Sequence, residues 1–289
     1  MKFSLAATSA LLLTTLATLA RADEYADAME EWCHDLEVVA PNEDSVVVAG
    51  GLAKVTVTRE PDERKKTITG LDLYSVAEGG KATYVQNVWH GNFPLNKQAS
   101  ISDTIPANAT AGLYYYRVWV TNDMNGMHGP DCLETSHTFK VTSGVHQDAA
   151  GMSYYTESLD DIQFYRPEYF KGCFGLEVTS PKKDQKVKLN KHVTISASRD
   201  KSSQTAMLKK VDLYKSVSDN EAKFVETVWT GKERFTDEIN VKDHFVLDEE
   251  HLDPDATYYY TLSISSNKAK DGDEDCTFHS AGFKIDTSD

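Results

Sequence analysis

Basic residues are scarce in this sequence relative to acid. It has 30 Lys and Arg against 45 Asp and Glu, for a formal net charge of −15. A chain of that sign repels phosphate backbones, so nucleic acid is not an expected partner. Catalytic signatures are also missing. There is no G-x-S-x-G elbow, no H-E-x-x-H and no C-x-x-C, so neither a nucleophilic serine nor a zinc centre is signalled. His128, His137 and His279 lie near late cysteines, but none has a partner at ligand spacing in the sequence. Acidic residues are so frequent that no pair stands out as a glycosidase couple. No catalytic residue, metal ligand or cofactor is therefore expected, and the chain reads as a non-enzyme. Amphipathic helices are wanting as well.

Long apolar runs are confined to the start. Residues 1–22, "MKFSLAATSALLLTTLATLARA", combine one Lys, an apolar stretch broken by Ser and Thr, and a small-x-small end. That pattern predicts a secretory signal peptide cut before Asp23. No second run is long enough for a bilayer span, and the polar end "FKIDTSD" lacks a GPI tail. The expectation is a secreted protein without a membrane anchor, found in the extracellular space or a cell wall. Removing Lys2 and Arg21 takes the net charge from −15 to −17.

What is present is a repeat. "YVQNVWHG" (84–91) returns as "FVETVWTG" (224–231), 140 residues on, and "CHDLEVVAP" (33–41) returns as "CFGLEVTSP" (173–181) at the same offset. "LDLYS" (71–75) answers "VDLYK" (211–215), also 140 residues on. The offset then grows to 144: "YYYRVWV" (114–120) answers "YYYTLSI" (258–264), and Cys132 answers Cys276. The second copy thus carries a net insertion of four residues between these strings, as surface loops tolerate. The chain divides into a lead (23–32), a first unit (33–143), a linker (144–172) and a second unit (173–286).

The four cysteines allow three pairings. The repeat selects Cys33–Cys132 and Cys173–Cys276, one bridge per unit. Within each unit, "AKVTVTR", "HVTISAS", "GLDLYSV" and "KVDLYKS" alternate with period two, and Gly, Pro, Asn and Asp punctuate them. About seven short strands per unit predict an all-β fold: two tandem β-sandwiches of immunoglobulin-like or fibronectin type III-like topology. The linker holds Tyr154, Tyr155, Phe164, Tyr165, Tyr169 and Phe170. So many aromatics are costly to leave wet, so part of it is expected to pack on the units; the alternative is a loose tether.

The order of elements carries a family resemblance. "LEVVAPNEDSVVVAGGLAKVTVT" leads into "LDLYSV", "YVQNVWHG" and "ISDTIPANATAGLYYYRVWV", with a turn from Pro106 to Gly112 and Tyr114, and ends in "TFKV". This series resembles the immunoglobulin-like domain of the Kre9/Knh1 family of fungal cell-wall proteins, over both copies. The resemblance implies a role in cell-wall organisation, with β-glucan as a partner. The chain differs from that family in lacking a Ser/Thr-rich stalk and in carrying a cysteine pair per unit. A module that binds a host or cell-surface protein is the alternative, and a glycoside-active enzyme a third reading.

Four features invite a site. Strand alternation puts Val85, Asn87 and Trp89 on one face, and Val225 and Trp229 likewise. Because both copies keep it, this Trp is expected to pack structurally. On "LYYYRVWV", Tyr114, Tyr116, Val118 and Val120 form the expected core face, leaving Tyr115, Arg117 and Trp119 outward as a candidate binding surface. Thr261 and Ser263 replace Arg117 and Trp119 in the second copy. Such a surface either meets ligand or packs against the linker. The acidic stretch Asp271 to Asp275 is compatible with calcium only as a weak pattern, and reads better as a solvated loop. "NAT" makes Asn108 a glycosylation candidate.

Overall fold

The computed structural model describes residues 27–29, 31–200, 203–216, 222–248, 251–269 and 272–286. The leader expected over 1–22 and Asp271 lie outside the described residues.

The fold is all-β, and the two units repeat one sandwich. In the first, β1 (Glu37–Ala40), β3 (Leu52–Thr58) and β6 (Gln98–Thr104) form a small sheet in the order β1-β3-β6. Facing it, β2 (Val46–Val48), β4 (Lys65–Val76), β5 (Ala82–Leu95), β7 (Gly112–Met124) and β10 (Phe139–Thr142) run in the order β2-β10-β7-β4-β5. The short β8 (Met127–His128) and β9 (Cys132–Thr135) also pair with β7. A hairpin of β11 (Val145–Gln147) and β12 (Ser153–Tyr155), then a single helical turn, α1 (Pro167–Phe170), make up the linker.

The second unit repeats the plan. β13 (Leu176–Ser180), β15 (Lys191–Arg199) and β18 (Glu238–Phe245) form the small sheet; β17 (Ala222–Arg234), β16 (Thr205–Ser216), β19 (Thr257–Ser266) and β20 (Cys276–His279) form the large one. β14 (Lys186–Val187) and β21 (Lys284–Ile285) pair in parallel, as β2 and β10 do.

The cores follow from the alternation. Along β18, exposed and buried residues alternate without a break, so Ile239, Val241, Asp243 and Phe245 point inward. Tyr114, Tyr116, Val118 and Val120 sit in the first core, and Tyr258, Tyr260, Leu262 and Ile264 in the second. Each core also holds a carboxylate met by a tyrosine. Tyr116 donates to Asp103 at 2.8 Å, and Tyr260 to Asp243 at 2.6 Å. Burial raises both aspartate pKa values, and the tyrosine hydrogen bond opposes that rise.

The turn before each of these tyrosine strands is closed by a hydroxyl. Tyr114 donates to the Thr110 carbonyl at 2.8 Å, and Tyr258 to that of His251 at 2.7 Å. This is the tyrosine-corner device of immunoglobulin-like sandwiches. Both expected disulfides form: Cys33–Cys132, with Cα atoms 5.7 Å apart, and Cys173–Cys276, at 5.3 Å. They close loops of 99 and 103 residues, which is about 4–5 kcal/mol each in the chain-entropy model.

The repeated Trp string receives a local explanation. Asn87 pairs with Asp72 but Trp89 with Leu71, so Val88 is an extra residue in the strand; Val228 is the same between Thr227 and Trp229. This β-bulge breaks the expected alternation. Val85, Val88 and Trp89 all pack partly against the core, whereas Asn87 turns outward and donates to Asp72 at 2.9 Å. Asn87 therefore does not share a face with Trp89. Each indole then folds back over the strand. A Cβ on Gly91 would lie 2.7 Å from Trp89, and one on Gly231 2.6 Å from Trp229. The string W-x-G thus records an indole lying on a residue that has room for it only as glycine.

The units are docked on each other. Phe174, just after the second unit's first cysteine, is buried against Tyr115 with ring centroids 5.2 Å apart, and Tyr169 of α1 joins the same cluster with Tyr74 and Leu113. Thr138 donates to the Tyr169 carbonyl at 2.9 Å; Gln204 donates to Thr135 at 2.7 Å and to the Ser136 carbonyl at 2.8 Å. The amide of Gly175, a left-handed residue with φ of 72°, reaches the Gly80 carbonyl at 2.8 Å. The linker is therefore not a loose tether at this end, although its Tyr154 and Tyr165 are exposed.

Candidate functional site: an indole platform on the first unit

Strand β4 alternates Leu71 and Leu73 inward with Asp72 and Tyr74 outward, and β7 runs antiparallel beside it. Register places Asp72 opposite Arg117, Gly70 opposite Trp119 and Tyr74 opposite Tyr115. The outer face thereby gathers the three residues expected there, but into two environments. Tyr115 is fully buried, stacked on Tyr74 at 5.4 Å and covered by Phe174. It belongs to the joint between the units and is not open to a ligand. The expected outward trio is thus corrected to a pair, Arg117 and Trp119.

Trp119 is 37% exposed, and its ring is fixed from several sides. Its indole N–H donates to Asp72 Oδ2 at 3.0 Å. The Arg117 guanidinium lies 4.8 Å from the ring centroids of both Trp119 and Tyr74, so it stands between two aromatic faces. The same guanidinium is 3.7 Å from Asp72 Oδ2, while Asn87 holds the other carboxylate oxygen. A Cβ on Gly70 would come within 3.0 Å of the indole, so glycine lets the ring lie against the neighbouring strand. Arg117 Nε is buried without a hydrogen-bond partner. Burial raises the Tyr74 pKa, and the nearby Arg117 charge lowers it.

The equivalent place on the second unit is different chemistry. Thr261 meets His279 at 3.1 Å, and Asp212 is held by Thr227 and Lys210, each at 2.7 Å. With Ser263 where Trp119 would stand, a shallow open cleft of about 630 Å³ remains, flanked by Lys209, Lys210, Asp273 and Asp275. Lys209 pairs with Asp275 at 2.7 Å and Lys171 with Asp273 at 3.8 Å. These lysines neutralise two carboxylates of the acidic stretch, which weakens it as a calcium site.

Asn108 is exposed in the turn after Pro106, as a glycan acceptor must be. Trp89 and Trp229 sit on the cores, as expected of packing residues. Asp72 is the residue of this candidate site that strand alternation alone did not single out. Its signal was the charge inside "LDLYS" and again inside "VDLYK". Reading that charge requires knowing which strand lies beside it.

No family model matches the chain, and no curated protein matches it. The Kre9/Knh1 resemblance therefore rests on the sequence pattern alone. Among solved structures, the fibronectin(III)-like modules of Clostridium thermocellum CbhA align over 86% of this chain and 93% of theirs, at 11% identity and a TM-score of 0.22. The class 5 fimbriae chaperone CfaA aligns over 86% of this chain and 99% of its own, at 10% identity and a TM-score of 0.27. At these values neither likeness carries a functional argument. The all-β assignment stands on the strands described above.

Proposed function

We propose that this chain is a secreted, non-catalytic binding protein of the fungal extracellular space or cell wall, and that its first unit binds polysaccharide across Trp119 and Arg117. β-Glucan is the first ligand to test, because the sequence resemblance implies it. One observation carries the site: a part-exposed indole held in one orientation by Asp72, Arg117 and Gly70. A fixed ring loses little freedom on binding, and the C–H face of a pyranose can stack on it without giving up hydroxyl hydrogen bonds. The leader-like N-terminus and the two disulfides support secretion. Among the described residues, no helix is long and apolar enough to cross a membrane.

Co-sedimentation with insoluble β-glucan and chitin tests this reading. Binding that Trp119→Ala abolishes supports it, and absence of binding to both polymers contradicts it. Release of reducing sugar would contradict the non-catalytic part. A second reading, a protein-interaction module, is favoured by the second unit's outer face. There Tyr214 stacks on Tyr259 at 5.7 Å, with Phe224 edge-on at 5.7 Å and His279 edge-on to Tyr259 at 5.8 Å. Phe224 is 51% exposed.

A further inference from the structure

The small sheet of the second unit carries a pair of histidines that the first unit lacks. His192 on β15 and His244 on the edge strand β18 are direct cross-strand partners. Both are exposed, because the alternation that buries Val193, Ile195, Val241 and Phe245 turns them outward. Their ring centroids are 5.0 Å apart, with planes inclined at 37°. Two imidazoles bound to one ion at about 2.0–2.1 Å, at a near-tetrahedral angle, place their ring centres roughly 5 Å apart. The unliganded pair already has that spacing.

We infer that His192 and His244 form a two-imidazole site for a first-row divalent cation of the copper–zinc group. Imidazole nitrogen suits Cu²⁺, Zn²⁺ and Ni²⁺, whereas Ca²⁺ and Mg²⁺ require oxygen ligands. Among the described residues, no group of three or more His, Cys, Asp or Glu is gathered for a metal. Among those residues the site has two protein ligands, and water would complete the shell. The next pair along this face is Thr194 and Lys242. Asp243 is not a ligand, since its side chain points into the core and accepts from Tyr260. In the first unit, the β3–β6 pair nearest the corresponding end of the sheet is Leu52 and Thr104, which cannot ligate a metal.

Calorimetric titration of the whole secreted chain with CuCl₂ and with ZnCl₂ tests the site. One equivalent of each ion should bind, Cu²⁺ more tightly than Zn²⁺. His192→Ala and His244→Ala should each weaken binding about tenfold or more. Both positions are exposed, so the metal-free melting temperature of each variant should match the parent, and that measurement confirms folding. No binding of either ion at millimolar concentration would overturn the inference. So would a His192→Ala/His244→Ala double variant that binds like the parent.

Discussion

The two units share a strand plan, a disulfide, a tyrosine corner, a bulged Trp string and a buried Tyr–Asp pair. They part company on the outer face of the larger sheet. In the first unit that face is divided between the docked Phe174 and the Trp119–Arg117 platform. In the second, the tyrosine stack is edged by the half-exposed Phe224, and Ser263 leaves an open cleft. Duplication has kept what the core requires and released what the surface does. Most side chains common to both copies serve the cores, whereas Trp119 and Arg117, found in one copy, build on the shared Asp72.

The largest test of this division lies at the joint. Phe174→Ala should remove about 3–5 kcal/mol of packing between the units. Calorimetry should then resolve two transitions in place of coupled unfolding, with faster proteolysis of the linker. A variant that still unfolds as the parent does would mean that the joint is held elsewhere. Next come the shared tryptophans. Trp89→Ala and Trp229→Ala should each cost about 2–4 kcal/mol, near the lower end for a large aromatic because both are only partly buried. The two losses should be similar. A loss in one unit only would break the claim that the string does the same job twice.

The buried carboxylates give a smaller effect with a definite pH sign. Asp103→Ala and Asp243→Ala should each cost about 1–3 kcal/mol by stranding a tyrosine hydroxyl. Asp103→Asn and Asp243→Asn keep an acceptor and should be far milder. Burial holds both carboxyls above their unfolded values. The stability they contribute is full below the unfolded pKa of about 3.9 and is lost as pH rises through the folded value. Acidifying from neutral pH should thus stabilise the parent more than the Asn variants, as read from melting temperature against pH. An identical slope in parent and variants would contradict the assigned shift.

Much of this fold could be read from the sequence, because a duplicated pattern gives two independent views of one structure. The offset of the repeat paired the cysteines, and the run Tyr114–Val120 named its core face. The bulges at Val85 and Val88 could not be read, since each inserted residue reverses the face of the side chains that follow until the next one. Tyr115 takes the face that alternation gave it, but Phe174 and Tyr169 cover it. Alternation indicates which face a side chain takes, but not what a second domain lays over that face. The same limit hid Asp72 and the His192–His244 pair, whose partners come from neighbouring strands distant in sequence. The Asp103–Tyr116 pair was within reach, because Asp243 stands 140 residues on and Tyr260 stands 144 residues after Tyr116.

The claim that only the first unit carries the ligand platform is tested most directly by measuring β-glucan affinity for the parent, Trp119→Ala and Ser263→Ala in parallel with melting temperature. The account predicts that Trp119→Ala loses about ten- to a hundredfold in affinity, equivalent to roughly 1–3 kcal/mol, with little change in melting. Ser263→Ala should bind as the parent does. Undiminished affinity in Trp119→Ala, or an equal loss in both variants, would contradict it.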